Sequence, residues 1–266
     1  MKSKKLIVLI ASIAAVVVVI ILLAALFTVS VAPTLSYFEF DGRDMAAPAE
    51  GGIAPNDVLE FVKGKSTIFF SKTKLLEQIN TTYLDWHAYH VEKIFPNTFV
   101  VSLKKRIPLL KIDVNGKEVY IDCFGYAMQE PTSGNVVDAT SAFKGTDAKN
   151  QQLGTPFKFA VSENDTKLQY VMDALLATWE CKVDLDDLAP LLGYDNLFHF
   201  DEDGNMLMTP HSGGTIKILS PKTNLKERLQ KAYGVYYNAF MNLQRDDIII
   251  TVREDGTITS PNADLM

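Results

Sequence analysis

Cysteine is scarce in this chain: 2 in 266 residues, Cys123 and Cys181. They stand far apart and make no metal-ligand spacing with the 4 histidines, which excludes a zinc ribbon or finger. Two readings of the pair stay open: a disulfide, or two separate small residues. An excess of positive charge is also missing. The formal charge is −6, and setting aside Lys2, Lys4 and Lys5 leaves 23 basic residues against 32 acidic ones. An acidic body has no electrostatic footprint for nucleic acid. No G-x-S-x-G elbow, H-E-x-x-H, Walker loop or Rossmann glycine pattern occurs, and the carboxylates scatter into turns and helix starts. The sequence therefore predicts no catalytic residue, no metal, no cofactor and no small-molecule substrate.

What is present begins with an apolar run. Leu6 to Val31 carries no charged residue and follows the basic tail Met1–Lys5. At ~1.5 Å per residue such a run spans a ~30 Å hydrocarbon core. The reading is a transmembrane helix over 6–31. Lys2, Lys4 and Lys5 hold the N-terminus in the cytoplasm and place the rest outside. A cleaved signal peptide is the rival, but the run exceeds a signal h-region and Pro33 directly follows the small-x-small site Ser30-Val31-Ala32.

Beyond the run, Phe38 to Gly42 reads as a strand ending in a glycine turn. Asn56 to Lys63 and Lys72 to Thr82 read as helices, from Val58, Phe61 and Val62 and from Leu75, Leu76 and Ile79. Ala88 to Ile94 is a strand, which sends His87 and His90 to opposite faces and argues against a metal pair. Phe95-Pro96-Asn97 is a turn. Thr98 to Leu103 alternates Phe99, Val101 and Leu103 on one face, and the strand stops by Pro108. The order is strand, helix, helix, strand, strand.

Leu109 to Gln129 reads as a hairpin around Asn115-Gly116. Thr132 to Pro156 is loop. Asn164 or Asp165 caps a helix to Glu180 with Leu168, Val171, Met172, Leu175, Leu176 and Trp179 inward. Short strands follow near Cys181–Leu185, Leu197–Phe200, Met206–Thr209 and Thr215–Leu219. The turn from Asp201 starts like a calcium loop, but its twelfth position is Ser212 rather than Glu. Asn224 to Glu227 looks like a capping box opening a helix to Phe240, with Leu225, Leu229, Ala232, Tyr233, Tyr236 and Phe240 buried. Asp247 to Arg253 is the final strong strand, and Asp255-Gly256 turns it towards Thr257–Ser260.

The series Phe40-Asp41-Gly42, Ile68-Phe69, Lys93-Ile94-Phe95-Pro96-Asn97-Thr98 and Arg106-Ile107-Pro108 resembles the POTRA domain of the FtsQ/DivIB bacterial cell-division family. Asp122 to Ala127 resembles the "[IL]-[IV]-D-x-x-G-x-[VA]" element that opens that family's β domain. The run from Gly213 to Arg253 resembles its C-terminal section. Lys105 stands where the family has an acidic residue before the arginine, and Ser220 where it has a glycine after the strand.

The resemblance implies an α+β protein: a tail (1–5), a transmembrane helix (6–31), a β-α-α-β-β POTRA domain (34–108), a mixed β-rich domain with two helices (109–260) and a tail (261–266). It implies a non-enzymatic divisome scaffold in the bacterial plasma membrane at the septum. The scaffold binds FtsL and FtsB/DivIC-type partners outside the membrane and helps control septal peptidoglycan synthesis. The candidate partner-binding residues are Ile248, Ile249, Ile250, Thr251, Val252 and Arg253, as a strand open to β-augmentation, with Tyr233 and Tyr237 from the aromatic cluster beside it. The competing arrangement has Ile248 and Ile250 in the core and Thr257–Ser260 closing the edge. The alternative class is an anchored extracytoplasmic cell-wall enzyme or solute-binding protein, with His199 and His211 as its residues.

Overall fold

The structure is a computed structural model that describes residues 12–22, 30–36, 39–40, 43–44, 55–63, 65, 70–94, 98–132, 136–179, 192–195, 197–243 and 247–261. It is α+β, and the chain divides into two compact units. One comprises residues 1–38 and 46–105, the other residues 39–45 and 106–266.

The first correction concerns the apolar run. The described helix there, α1, covers residues 12–22 with its side chains exposed. The end of the run is extended instead: β1 spans Ser30–Ser36. Pro33 explains the switch, because proline breaks a helix and forces the residue before it into extended backbone. Among the described residues no helix is long and apolar enough to cross a membrane, so the transmembrane helix over 6–31 is not supported. Lys2, Lys4 and Lys5 lie outside the described residues.

β1 is also the first strand of the first unit, in place of Phe38–Gly42. Glu39–Phe40 (β2) instead pairs with Arg43–Asp44 (β3) in a small hairpin. Two helices follow, α2 (Pro55–Val62) and α3 (Lys72–Thr82), then β4 (Trp86–Ile94) and β5 (Thr98–Lys105). Ser71 caps α3 by accepting from the Lys74 N–H. The sheet order is β1-β5-β4, with β1 parallel and β4 antiparallel to β5. Val58, Val62, Leu75 and Ile79 from the helices bury Trp86, Ala88, Val91, Phe99, Val101 and Leu103 from the sheet. The Phe95–Asn97 turn and Ile68-Phe69 lie outside the described residues.

The second unit opens on β6 (Pro108–Val114) and β7 (Lys117–Asp122), an antiparallel hairpin. Asn115 and Gly116 both take positive φ, 56° and 76°, which a two-residue primed turn demands. β8 (Ala127–Met128) and β9 (Val137–Asp138) complete a sheet ordered β8-β7-β6-β9. Inside the stretch read as loop, a 3-10 turn covers Thr140–Phe143 and β10 covers Ala148–Asn150, which pairs with β11 (Lys158–Phe159) just beyond it. Helix α4 runs Ser162–Trp179, starting before the expected Asn164 or Asp165 cap; Asp165 accepts the Phe159 N–H instead. Cys181–Leu185 lies outside the described residues.

The last part is a five-stranded sheet ordered β12-β13-β14-β15-β16: Phe198–Phe200, Met206–Met208, Thr215–Ile218, Ile249–Val252 and Ile258–Thr259. Helix α5 (Leu225–Leu243) links β14 to β15, which are parallel. Asn224 before it has φ 45°, left-handed rather than the extended geometry of a capping box. Leu225, Leu229, Ala232, Tyr233 and Tyr236 of α5 share one core with Val171 and Leu175 of α4 and with Met206, Ile216, Ile250 and Val252.

Candidate functional site

A sheet edge is a row of backbone N–H and C=O groups that must find partners in the chain, in water or in another protein. Three edges of the second unit find them in the chain. On β8, Ala127 donates to Thr155 O (3.0 Å) and accepts from the Gly154 N–H (2.8 Å). On β9, Asp138 donates to Tyr194 O at 2.6 Å and bridges Asp195. On β12, the Ser141 hydroxyl donates to Phe198 O at 3.0 Å. The neighbouring Thr140 Oγ1 accepts the Asp113 N–H of β6, so one short turn seals the borders of both sheets.

The fourth edge is β16. Its inner side pairs Thr259 with Thr251 and Ile258 with Val252, and Arg253 donates to Thr257 O. Its outer side carries no comparable seal among the described residues. It is short, so β15 continues past it. Ile249 and Ile250 lie beyond the two β15 residues that β16 covers.

The first unit has its own long edge, β4, and guards it. The Asn80 side chain donates to Ala88 O (2.9 Å) and accepts the Ala88 N–H (2.7 Å), copying a strand's pairing. Trp86 donates to Tyr83 O, and a register shift between Ala88 and His90 bulges Tyr89 out. Bulges and charges such as the exposed Glu92 deter strand addition.

The structure separates the predicted partner-binding residues. β15 lies between β14 and β16, and β16 covers Thr251 and Val252 but not Ile249 and Ile250. Ile248, Ile250 and Val252 are fully buried in the core, because the period-two alternation that makes the strand also turns them inward. Ile249 is 46% exposed, Thr251 half-buried and Arg253 exposed. They belong to the opposite face, where the row His199, Leu207, Lys217, Thr251 and Thr259 crosses all five strands. Tyr233 is withdrawn entirely. Its ring is buried and its hydroxyl donates to Ala174 O at 3.0 Å. Tyr237 is half-buried. Tyr236 is buried too, donating to Gly213 O (2.7 Å) beside Ser212 Oγ, and burial raises its phenol pKa.

The alternative residues do not make a centre. His199 is half-buried on β12 opposite Leu207, and His211 is exposed in the turn after β13. The Asp201 carboxylate is consumed by the N–H groups of Asp203 and Asn205, the Asn205 amide and Lys217 Nζ at 3.0 Å. The Asn205 and Lys217 bonds pull its pKa down to about 2. That is a rigid turn rather than a calcium loop. Among the described residues no group of three His, Cys, Asp or Glu side chains is placed to hold a metal. His87 is buried and His90 exposed; the register shift between Ala88 and His90 pairs them with Lys104 and Ser102, on one face of β4 rather than on the opposite faces expected. Cys123 is a buried thiol, and Cys181 lies outside the described residues.

Four polar side chains with no expected role do structural work: Asn80, the buried pair Arg106 and Asp122, and Arg228. Arg106 and Asp122 were legible only as separate letters of the family resemblance. No protein-family model matches the chain, and no curated protein matches it.

Proposed function

We propose that this chain is a non-enzymatic scaffold of the FtsQ/DivIB kind, acting outside the bacterial plasma membrane at the division septum. It binds FtsL and FtsB/DivIC-type partners and through them helps control septal peptidoglycan synthesis. The observation that carries the reading is the edge accounting. Of the two larger sheets of the second unit, the β8, β9 and β12 edges are sealed by the chain's own groups, while β16 carries no comparable seal among the described residues and can take an incoming strand. The strand-helix-helix-strand-strand order of the first unit, with its first strand parallel to its last, supports the family side of the proposal.

The contact therefore moves from β15 to β16. The test is capture of purified FtsL and FtsB/DivIC-type proteins by the full chain and by an Ile258→Pro variant, which removes the outward N–H of β16 and whose fold is verified by circular dichroism. Proline cannot donate to a ladder, so the variant loses capture if the edge is the contact. Equal capture by the folded variant contradicts the assignment to β16, and no capture by either chain contradicts the partner assignment.

A further inference from the structure

Charge is not shared evenly along the chain. The first unit holds 10 basic and 6 acidic residues, the second 16 and 26. A basic part on an acidic chain fits an anionic surface as its partner. Within the first unit, lysines gather at one end. Lys63 and Lys65 follow α2, and Lys72 and Lys74 stand in the first turn of α3; all four are exposed. Phe70, between the two pairs, ties them to the sheet. Lys65 Nζ lies 4.9 Å from the centre of its ring, and that ring meets Phe99 edge-on at 5.8 Å. Lys93 Nζ donates to the Phe70 carbonyl oxygen at 2.6 Å. Phe99 pairs with Lys93 of β4 and Val31 of β1, so the five lysines share the end of the sheet at which β1 enters, with Ser30 opposite Thr98.

Few carboxylates answer them there. Glu60 pairs with Lys63 at 3.2 Å, but both side chains are largely exposed, and such pairs hold weakly. Glu92 stands on the outer face of the sheet opposite Val100. Glu77 is half-way along α3. Asp57 belongs to the other end: it lies in the first turn of α2, and its charge acts on Tyr83, the C-cap of α3. Helix stability does not account for the lysines either. In a first turn they oppose the helix dipole, and α3 has no acidic residue there to offset them.

Two apolar features adjoin the cluster. Ile94, next to Lys93 and opposite Thr98, is 48% exposed. The apolar, exposed helix α1 ends at residue 22, and the chain from there to Ser30 reaches at most ~30 Å. A dissolved polyanion would satisfy the lysines alone. A surface with phosphate in front and hydrocarbon behind satisfies the lysines and the apolar groups together.

We propose that this end of the first unit rests on an anionic phospholipid surface: Lys63, Lys65, Lys72 and Lys74 meet the headgroup phosphates, Lys93 holds Phe70 behind them, and Ile94 reaches the hydrocarbon boundary. Each lysine near such a surface adds attraction that fades within a Debye length. The contact is peripheral. It uses charge and a shallow apolar edge and needs no helix long enough to cross. It belongs to the first unit and stands apart from the β16 contact.

The test is sparse lysine acetylation of the full chain, read residue by residue by mass spectrometry. The chain is mixed with vesicles of phosphatidylcholine alone or with an equal part of phosphatidylglycerol. The neutral vesicles control for any contact made by α1. Lys63, Lys65, Lys72 and Lys74 should react on the order of fivefold more slowly on the anionic vesicles. They should recover in ~0.5 M salt, where screening acts within about 5 Å. Lys105, seven residues and ~23 Å along β5 from Thr98, should keep its rate. Lys72→Gln combined with Lys74→Gln, both on exposed positions, should weaken the protection of Lys63 and Lys65. Equal protection on neutral vesicles, protection on neither, or protection of Lys63 and Lys65 that the double variant leaves intact would each overturn the proposal. So would equal protection by soluble polyphosphate at matched phosphate concentration, which would make the partner a dissolved polyanion.

Discussion

Ser220 sits at φ 45°, at the position where the family that the sequence resembles has glycine. A residue with a Cβ in left-handed backbone is strained by roughly 1 kcal/mol. Glycine removes that strain but gives the unfolded chain more freedom. Ser220→Gly should therefore stabilise the second unit by up to about 1 kcal/mol, read as a higher urea midpoint. A lower midpoint would mean the turn tolerates serine without strain. The same turn explains Arg228. Its guanidinium, buried in the first turn of α5, donates to the carbonyl oxygens of Leu219, Ser220, Thr223 and Val252. The carbonyls of Leu219, Ser220 and Val252 lie at the ends of β14 and β15, where the ladder stops, and that of Thr223 lies just before α5. Burial lowers the pKa of the guanidinium, yet arginine keeps its charge. Nothing in the spacing of Asn224-Leu225-Lys226-Glu227-Arg228 marks that residue, since an arginine at a helix start ordinarily faces water.

At the scale of elements, a local signal was enough where the structure is local. Asn115-Gly116 predicts its hairpin because only two residues must adopt positive φ. The apolar stripes of α3 and α5 predict those helices to within a few residues. The run before residue 31 misled because an uninterrupted apolar stretch does not mark where a helix stops: residues 12–22 are helix, but Ser30 and Val31 already belong to β1. Periodicity cannot separate helix from strand in a run without charged residues. Ser30–Ser36 becomes a strand by pairing with Thr98–Lys104, a partner that no local pattern announces. Asn80 was invisible for the same reason. It reads as a polar residue near a helix end, yet it is buried and pairs both backbone groups of Ala88. Asn80→Ala strands a buried N–H and a buried C=O. It should cost the first unit about 2–4 kcal/mol in chemical denaturation. A loss under about 0.5 kcal/mol would show that water replaces the amide without penalty.

At the scale of the whole molecule, the candidate site was half legible. The last strong strand was found, but which strand ends the sheet depends on where a two-residue segment, Ile258–Thr259, comes to rest. The proposed contact rests on the contrast between β16 and the sealed β8, β9 and β12 edges of the second unit. The most direct measurement is amide hydrogen exchange across the full chain, with and without an FtsB/DivIC-type partner. The account predicts new protection at residues 257–260, with β4 and β12 unchanged. Protection that appears on β4 or β12 and leaves Ile258 and Thr259 exchanging as before would contradict it.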